Sequence, residues 1–191
     1  MLRRFNVVDA FVLTCLTGCM FSAAFWFQAR YLTVFDYMPR ASLFFLPAGI
    51  RIISFIAARG WGLLGISAGT LVTLTFDTSW QPAHWHDYIS AFEFFCLLPY
   101  LGTIGIQKLL AIDRDLTKLA VAQVIKIAFL GSLINGLSIN TYLYIEGVHA
   151  LNDLNTGILA ASFGDVTGIA FTLFLVSIYP QLKSSLSKLT S

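Results

Sequence analysis

Charge is what this sequence has least of. Of 191 residues, 12 are Lys or Arg and 10 are Asp or Glu; charged side chains make up 12% of the chain and hydrophobic ones 57%. A water-soluble domain carries about 25% charged and about 45–50% apolar residues. Halving the charge leaves too little polar material to cover a globule, so most of the surface must meet lipid. Cysteine is scarce as well. Cys15, Cys19 and Cys96 all lie in apolar runs, which excludes a disulfide framework and reads them as small buried hydrophobes. Also missing are a phosphate-cradling glycine loop, a His-Glu-x-x-His helix and a Ser/His/Asp arrangement of recognisable spacing. Nor is there a basic patch adequate for nucleic acid. These absences point away from an enzyme, a cofactor and a nucleic-acid partner.

What is present is a series of long apolar runs. About 20 apolar residues cross a hydrocarbon core of about 30 Å. Six segments qualify, two of them short: Val7–Phe27, Ala41–Ala58, Trp61–Phe76, Tyr88–Leu110, Leu119–Ile145 and Gly157–Tyr179. The expected fold is all-α, a polytopic membrane helical bundle of about six transmembrane helices forming one integral membrane domain over 1–191. Alternating strands of about 10 residues, the mark of a barrel, are not the pattern here. The second and third segments are joined by Arg59-Gly60. That predicts a tight helical hairpin, with Gly60 and Gly62 supplying positive φ. Arg3 and Arg4 resemble the start of a signal peptide, but Asp9 interrupts the apolar run and the run continues past Cys19, so an uncleaved first helix is expected.

Lysine and arginine set the orientation. With the N-terminus inside, the inner regions hold Arg3, Arg4, Arg59, Lys108, Arg114, Lys118, Lys183 and Lys188. The outer loops Asp77–Asp87 and Glu146–Thr156 hold no Lys or Arg; Arg30 and Arg40 break the pattern on the first outer loop. Both termini are therefore expected in the cytoplasm of a cell with an inner membrane. Trp26, Tyr31, Tyr37, Trp80, Trp85, Tyr88 and Tyr144 fall near the outer ends, where amphipathic rings suit the headgroups.

Charged residues inside apolar segments cost roughly 2.5–3.5 kcal/mol at mid-membrane and are usually paired or functional. Arg51, Glu93, Lys126 and Asp165 are the candidates. Counting from the segment ends places Arg51 and Asp165 at a matching depth of about 12–15 Å, opposite in sign, which predicts a pair. Glu93 is expected to join from one turn above, and Lys126 to snorkel to the inner headgroups. Asn135 and Asn140 add polar groups suited to interhelical hydrogen bonds, and Gly164 and Gly168 form a Gly-x-x-x-Gly face around Asp165. That face predicts close packing, with space beside Asp165 for a ligand or water. Pro47, followed by Gly49, and Pro99 each predict a broken helix. The cluster is expected in the outer half of the membrane, as a structural clasp or a ligand site opening outward. On the outer loop, His84 and His86 with Asp77 and Asp87 nearby form a His-x-His pair that His149 could join; two histidines fall short of a zinc site, and interfacial anchoring is the expectation.

Three segments together resemble a known family. They are Leu46-Pro47-Ala48-Gly49-Ile50-Arg51, then Gly60-Trp61 through Gly65-Ile66-Ser67-Ala68-Gly69, then Phe163-Gly164-Asp165-Val166-Thr167-Gly168. Their order is similar to the MASE family, first class, the bacterial membrane-associated sensory domains. The likeness covers roughly Ala41–Pro180, although the family's proline near the end of the last helix is displaced here to Pro180. It implies a sensory unit of the inner membrane. Such domains usually precede a cytoplasmic signalling module; about a dozen residues follow the sixth segment here. The expectation is a sensory or accessory protein without its own output domain, acting through a protein partner in the membrane or a cytoplasmic signalling protein, with a small-molecule ligand and the lipid bilayer as further partners. The alternative is a small-solute transporter or its substrate-binding membrane subunit. An intramembrane enzyme is the weaker third reading.

Overall fold

The computed structural model describes residues 6–38, 41–76, 84–111 and 121–189, apart from the side chains of 121, 124 and 176–189. Arg3, Arg4, Arg40, Asp77, Trp80, Arg114 and Lys118 lie outside the described residues, as do the side chains of Lys183 and Lys188. Six helices make up most of the chain: α1 (Val7–Tyr31), α2 (Leu46–Ala57), α3 (Gly60–Phe76), α4 (Trp85–Leu109), α5 (Val121–Ile145) and α6 (Leu151–Leu189). A short antiparallel hairpin, β1 (Asp36–Met38) and β2 (Ala41–Ser42), joins α1 to α2. Among the described residues, three helical stretches are long and apolar enough to cross a membrane: Val7–Tyr31, Trp85–Leu109 and Leu151–Leu175. The chains of α2 and α3 are apolar but shorter.

The distribution of polarity is that of a lipid-facing bundle. Large apolar side chains such as Phe11, Trp26, Leu159 and Phe163 point outward, while Arg51, Asp165, Asn135, Asn140 and Gln107 are buried. Of the expected aromatic belt, Trp26, Tyr31, Tyr37, Trp85 and Tyr144 are exposed. Cys96 is buried as expected, but Cys15 and Cys19 are exposed. The inner face of α1 is taken by Thr17, Gly18 and Phe21, which turns both thiols outward.

Close approach builds two seams. In the first, α1 lies on α3. A Cβ on Gly65 would fall on the Thr17 hydroxyl and the Thr14 carbonyl, and one on Gly69 would meet the Gly18 carbonyl. The Ser22 hydroxyl donates to the Gly69 carbonyl at 3.1 Å. In the second, α2 and the chain before it lie on α6. A Cβ on Gly49 would overlap Thr172, and Cβ atoms on Gly164 and Gly168 would overlap the carbonyls of Ser42 and Phe45.

That second seam corrects the expected start of the second helix. Residues 41–45 are extended, not helical, and run into the bundle beside α6. Their backbone is satisfied there by protein: the Phe45 N–H donates to the Gly164 carbonyl at 2.9 Å, and the Thr167 hydroxyl donates to the Leu43 carbonyl at 2.8 Å. Gln28 of α1 accepts from the Leu46 N–H at 3.2 Å. Irregular backbone inside a membrane protein persists only with such partners. Pro47 therefore breaks nothing. It occupies the first turn of α2, where its missing N–H would have had no helical partner anyway.

Pro99 does lie within a helix. The five residues Glu93–Leu97 of α4 form a π turn, and the Leu98 N–H bonds back to the Glu93 carbonyl. Continuing that i→i−5 pattern, residue 99 would serve the Phe94 carbonyl, but proline has no N–H. The Ser138 hydroxyl of α5 donates to that carbonyl at 2.6 Å instead. The α2–α3 hairpin corrects a smaller expectation. Its turn places Arg59, not Gly60, at positive φ, 51°, in the left-handed position that commonly follows a helix end. Gly62 is needed for space, since a Cβ there would strike the Ser54 carbonyl.

Candidate polar site between α2, α5 and α6

The second seam contains a buried ion pair. Arg51, on the inward face of α2, is 5% exposed, and Asp165 of α6 is 2% exposed. The Arg51 guanidinium Nη2 donates to Asp165 Oδ2 at 2.9 Å. Asn135 of α5 donates through its Nδ2 to the same oxygen. Three helices thus converge on one carboxylate. Asn135 Oδ1 and the Ser132 hydroxyl, both buried, have no hydrogen-bond partner among the described residues.

Two small cavities flank Arg51. One, of about 10 Å³, is lined by Arg51, Thr103, Ser132, Asn135 and Asp165 with apolar neighbours from α2 and α4. That is room for about one water molecule, and the polar walls supply the partners a water needs. The other, of about 40 Å³, lies between Arg51 and a wall of Phe21, Phe25, Phe45, Phe95 and Leu74. Thr70 and Leu74 separate it from an apolar groove of about 230 Å³ between α3 and α4. Arg51 carries five N–H donors, and the bond to Asp165 uses one.

Several expected members are elsewhere. Glu93 is exposed; it takes no part in the cluster and lines neither cavity at Arg51. Asn140 is fully buried and donates to the Gly136 carbonyl at 2.8 Å, but it does not line the cavities at Arg51. Lys126 is exposed. The space expected beside Gly164 and Gly168 is filled by the backbone of residues 42–46, so those glycines admit the chain rather than a ligand. The count from the helix starts differs from the expected one, Arg51 lying five residues into α2 and Asp165 fourteen into α6, yet the two meet as expected. Thr103 and Ser132 join the cluster unforeseen. A lone hydroxyl in an apolar helix is weak as a sequence signal, because most such groups bond their own helix, as Thr103 does to the Pro99 carbonyl.

No protein-family model, no curated protein and no solved structure matches the chain.

Proposed function

We propose that this chain is a multi-pass inner-membrane sensory or accessory protein of the MASE type, with six spans and both termini in the cytoplasm. A small, largely apolar ligand with an anionic or hydrogen-bond-accepting group enters between α3 and α4 and settles beside Arg51. Its occupancy biases two packings of α2 against α6, and a protein partner reads the difference. The observation that carries this reading is the buried Arg51–Asp165–Asn135 cluster with a cavity on the free side of the arginine. An ionised group inside a bundle is a functional-site hypothesis by default. The resemblance adds weight, since its first and last motifs are the two that meet at this ion pair. A ligand shifts such an equilibrium only by binding one packing more tightly than the other, and a guanidinium shared between Asp165 and a ligand acceptor provides that difference.

The test is mild-detergent purification followed by native mass spectrometry. Co-purification of a small molecule, lost in the Arg51→Met variant, together with a protein partner, is the expected result. A ligand-free, partner-free monomer would count against the reading. A C-terminal reporter active only outside the cytoplasm would reject the topology. The transporter reading is favoured by one feature, the short α2 with an extended entry and the π turn in α4, because interrupted helices build substrate sites in many transporters. Solute uptake by proteoliposomes containing this chain alone would decide for it.

A further inference from the structure

A second polar group lies far in sequence from the Arg51 cluster, at the start of α4. His84 is the N-cap and Asp87 the third residue of the first turn, and the two form a reciprocal cap. The His84 N–H donates to Asp87 Oδ2 at 2.8 Å, which fixes the carboxylate although only 7% of Asp87 is exposed. Both histidines then converge on it. His84 Nδ1 lies 3.7 Å from Asp87 Oδ2, and His86 Nε2 lies 3.0 Å from Asp87 Oδ1. The two imidazoles stack at 5.2 Å between centroids, 24° apart. One ligand atom from each residue falls within 4.8 Å of the others.

These spacings fit a metal. Ligand atoms about 2.0–2.2 Å from a tetrahedral zinc ion are separated by about 3.4 Å. The histidine–carboxylate distances of 3.0 and 3.7 Å are of that order, but each is to a different oxygen of Asp87. Binding through one oxygen therefore requires the imidazoles to shift within the 4.8 Å that the three ligand atoms span. Two imidazoles and one carboxylate suit a borderline divalent transition cation, not calcium or magnesium, which take oxygen ligands. We propose that His84, His86 and Asp87 form a binding site for a divalent transition-metal ion such as Zn²⁺, with the fourth position open to water. The Asp87 carboxylate is already held by a backbone N–H, as outer-shell bonds hold metal ligands elsewhere. Two features work against tight binding. The positive end of the α4 dipole opposes a cation, and the His84 ring gives up its cap contact with the Asp87 N–H if the ion takes the same nitrogen. The site is therefore one of moderate affinity. It does not depend on the sensory reading above.

The test uses the full chain, purified in detergent without a histidine tag, stripped with chelator and titrated with Zn²⁺ by calorimetry. The expected result is one zinc ion per chain, with binding at least about tenfold weaker in His84→Ala and in His86→Ala, the scale at which even outer-shell losses act. X-ray absorption on the zinc-loaded wild type should count two imidazoles, a readout that stands if a variant fails to fold. The chain's third histidine, His149, is buried. No stoichiometric zinc, fewer than two imidazoles, or unchanged binding in a folded His84→Ala/His86→Ala variant would overturn the site and leave the cluster a set of capping contacts.

Discussion

The two seams of this bundle solve the same packing problem with different chemistry. Between α1 and α3, Gly18, Gly65 and Gly69 bring backbones together, and Thr17 and Ser22 fill the contact with hydroxyls. Between α2 and α6, Gly49, Gly164 and Gly168 do the same with Thr167 and Thr172. Among the described residues, only the second seam contains an ion pair. The first shows that small residues and hydroxyls hold two of these helices together without charge. The buried Arg51–Asp165 pair is thus surplus to close packing, which is why its role is sought in specificity or ligand response. Replacing a buried ion pair by apolar residues is often neutral for stability, whereas removing one partner is not.

Variants that break this comparison are ordered by size of effect. The largest belongs to Asp165→Ala, which strands a buried guanidinium. A loss of about 3–5 kcal/mol is expected, seen as the steepest drop in thermal unfolding followed by circular dichroism in detergent. The Arg51→Met/Asp165→Leu double variant should recover much of it; strictly additive losses would mean that the two do not interact. Next comes Asn135→Ala, which removes a hydrogen bond to the carboxylate. Bonds to charged groups contribute about 1.5–3 kcal/mol, and denaturant titration should show the loss disappear in the background of the double variant. Gly65→Val and Gly164→Val sharpen the likeness between the seams. Each overpacks a backbone contact, at about 1–3 kcal/mol, and similar melting shifts from the two would show that charge adds nothing to closeness. The smallest effect is Ser22→Ala, at about 0.6 kcal/mol on average for such bonds in membranes; a shift as large as that of Asn135→Ala would erase the distinction between the seams.

The helical content and the Arg51–Asp165 contact were legible because both rest on cost. Apolar runs need lipid, and opposite charges within them need each other. The start of the second helix was not legible. Residues 41–45 are as apolar as a helix, and what makes them extended is the backbone of Gly164 and the hydroxyl of Thr167, more than a hundred residues away. Glu93 was misplaced because depth along a helix does not say which face a residue occupies, and Glu93 lies on an exposed one. Cys15 and Cys19 were misplaced because a hydrophobe in a membrane can face lipid as readily as protein. Asp87 was placed beside His84 and His86 by capping geometry, which spacing alone suggests only as proximity.

The extended entry to α2 has a consequence for the order in which the chain is assembled at the membrane. Twelve residues of α2 reach about 18 Å, short of the roughly 30 Å needed to cross. Until α6 is made, residues 41–45 lack the partners that hold them, and Arg51 lacks an acid 114 positions downstream. At about 5–20 residues per second of synthesis, that gap lasts on the order of ten seconds. If the six-span proposal holds, the α2–α3 hairpin is an unfinished insertion during that interval, with its arginine unpaired. On that reading, the contacts that hold the entry to α2 become available only with α6, and the sixth helix sets the position of the second.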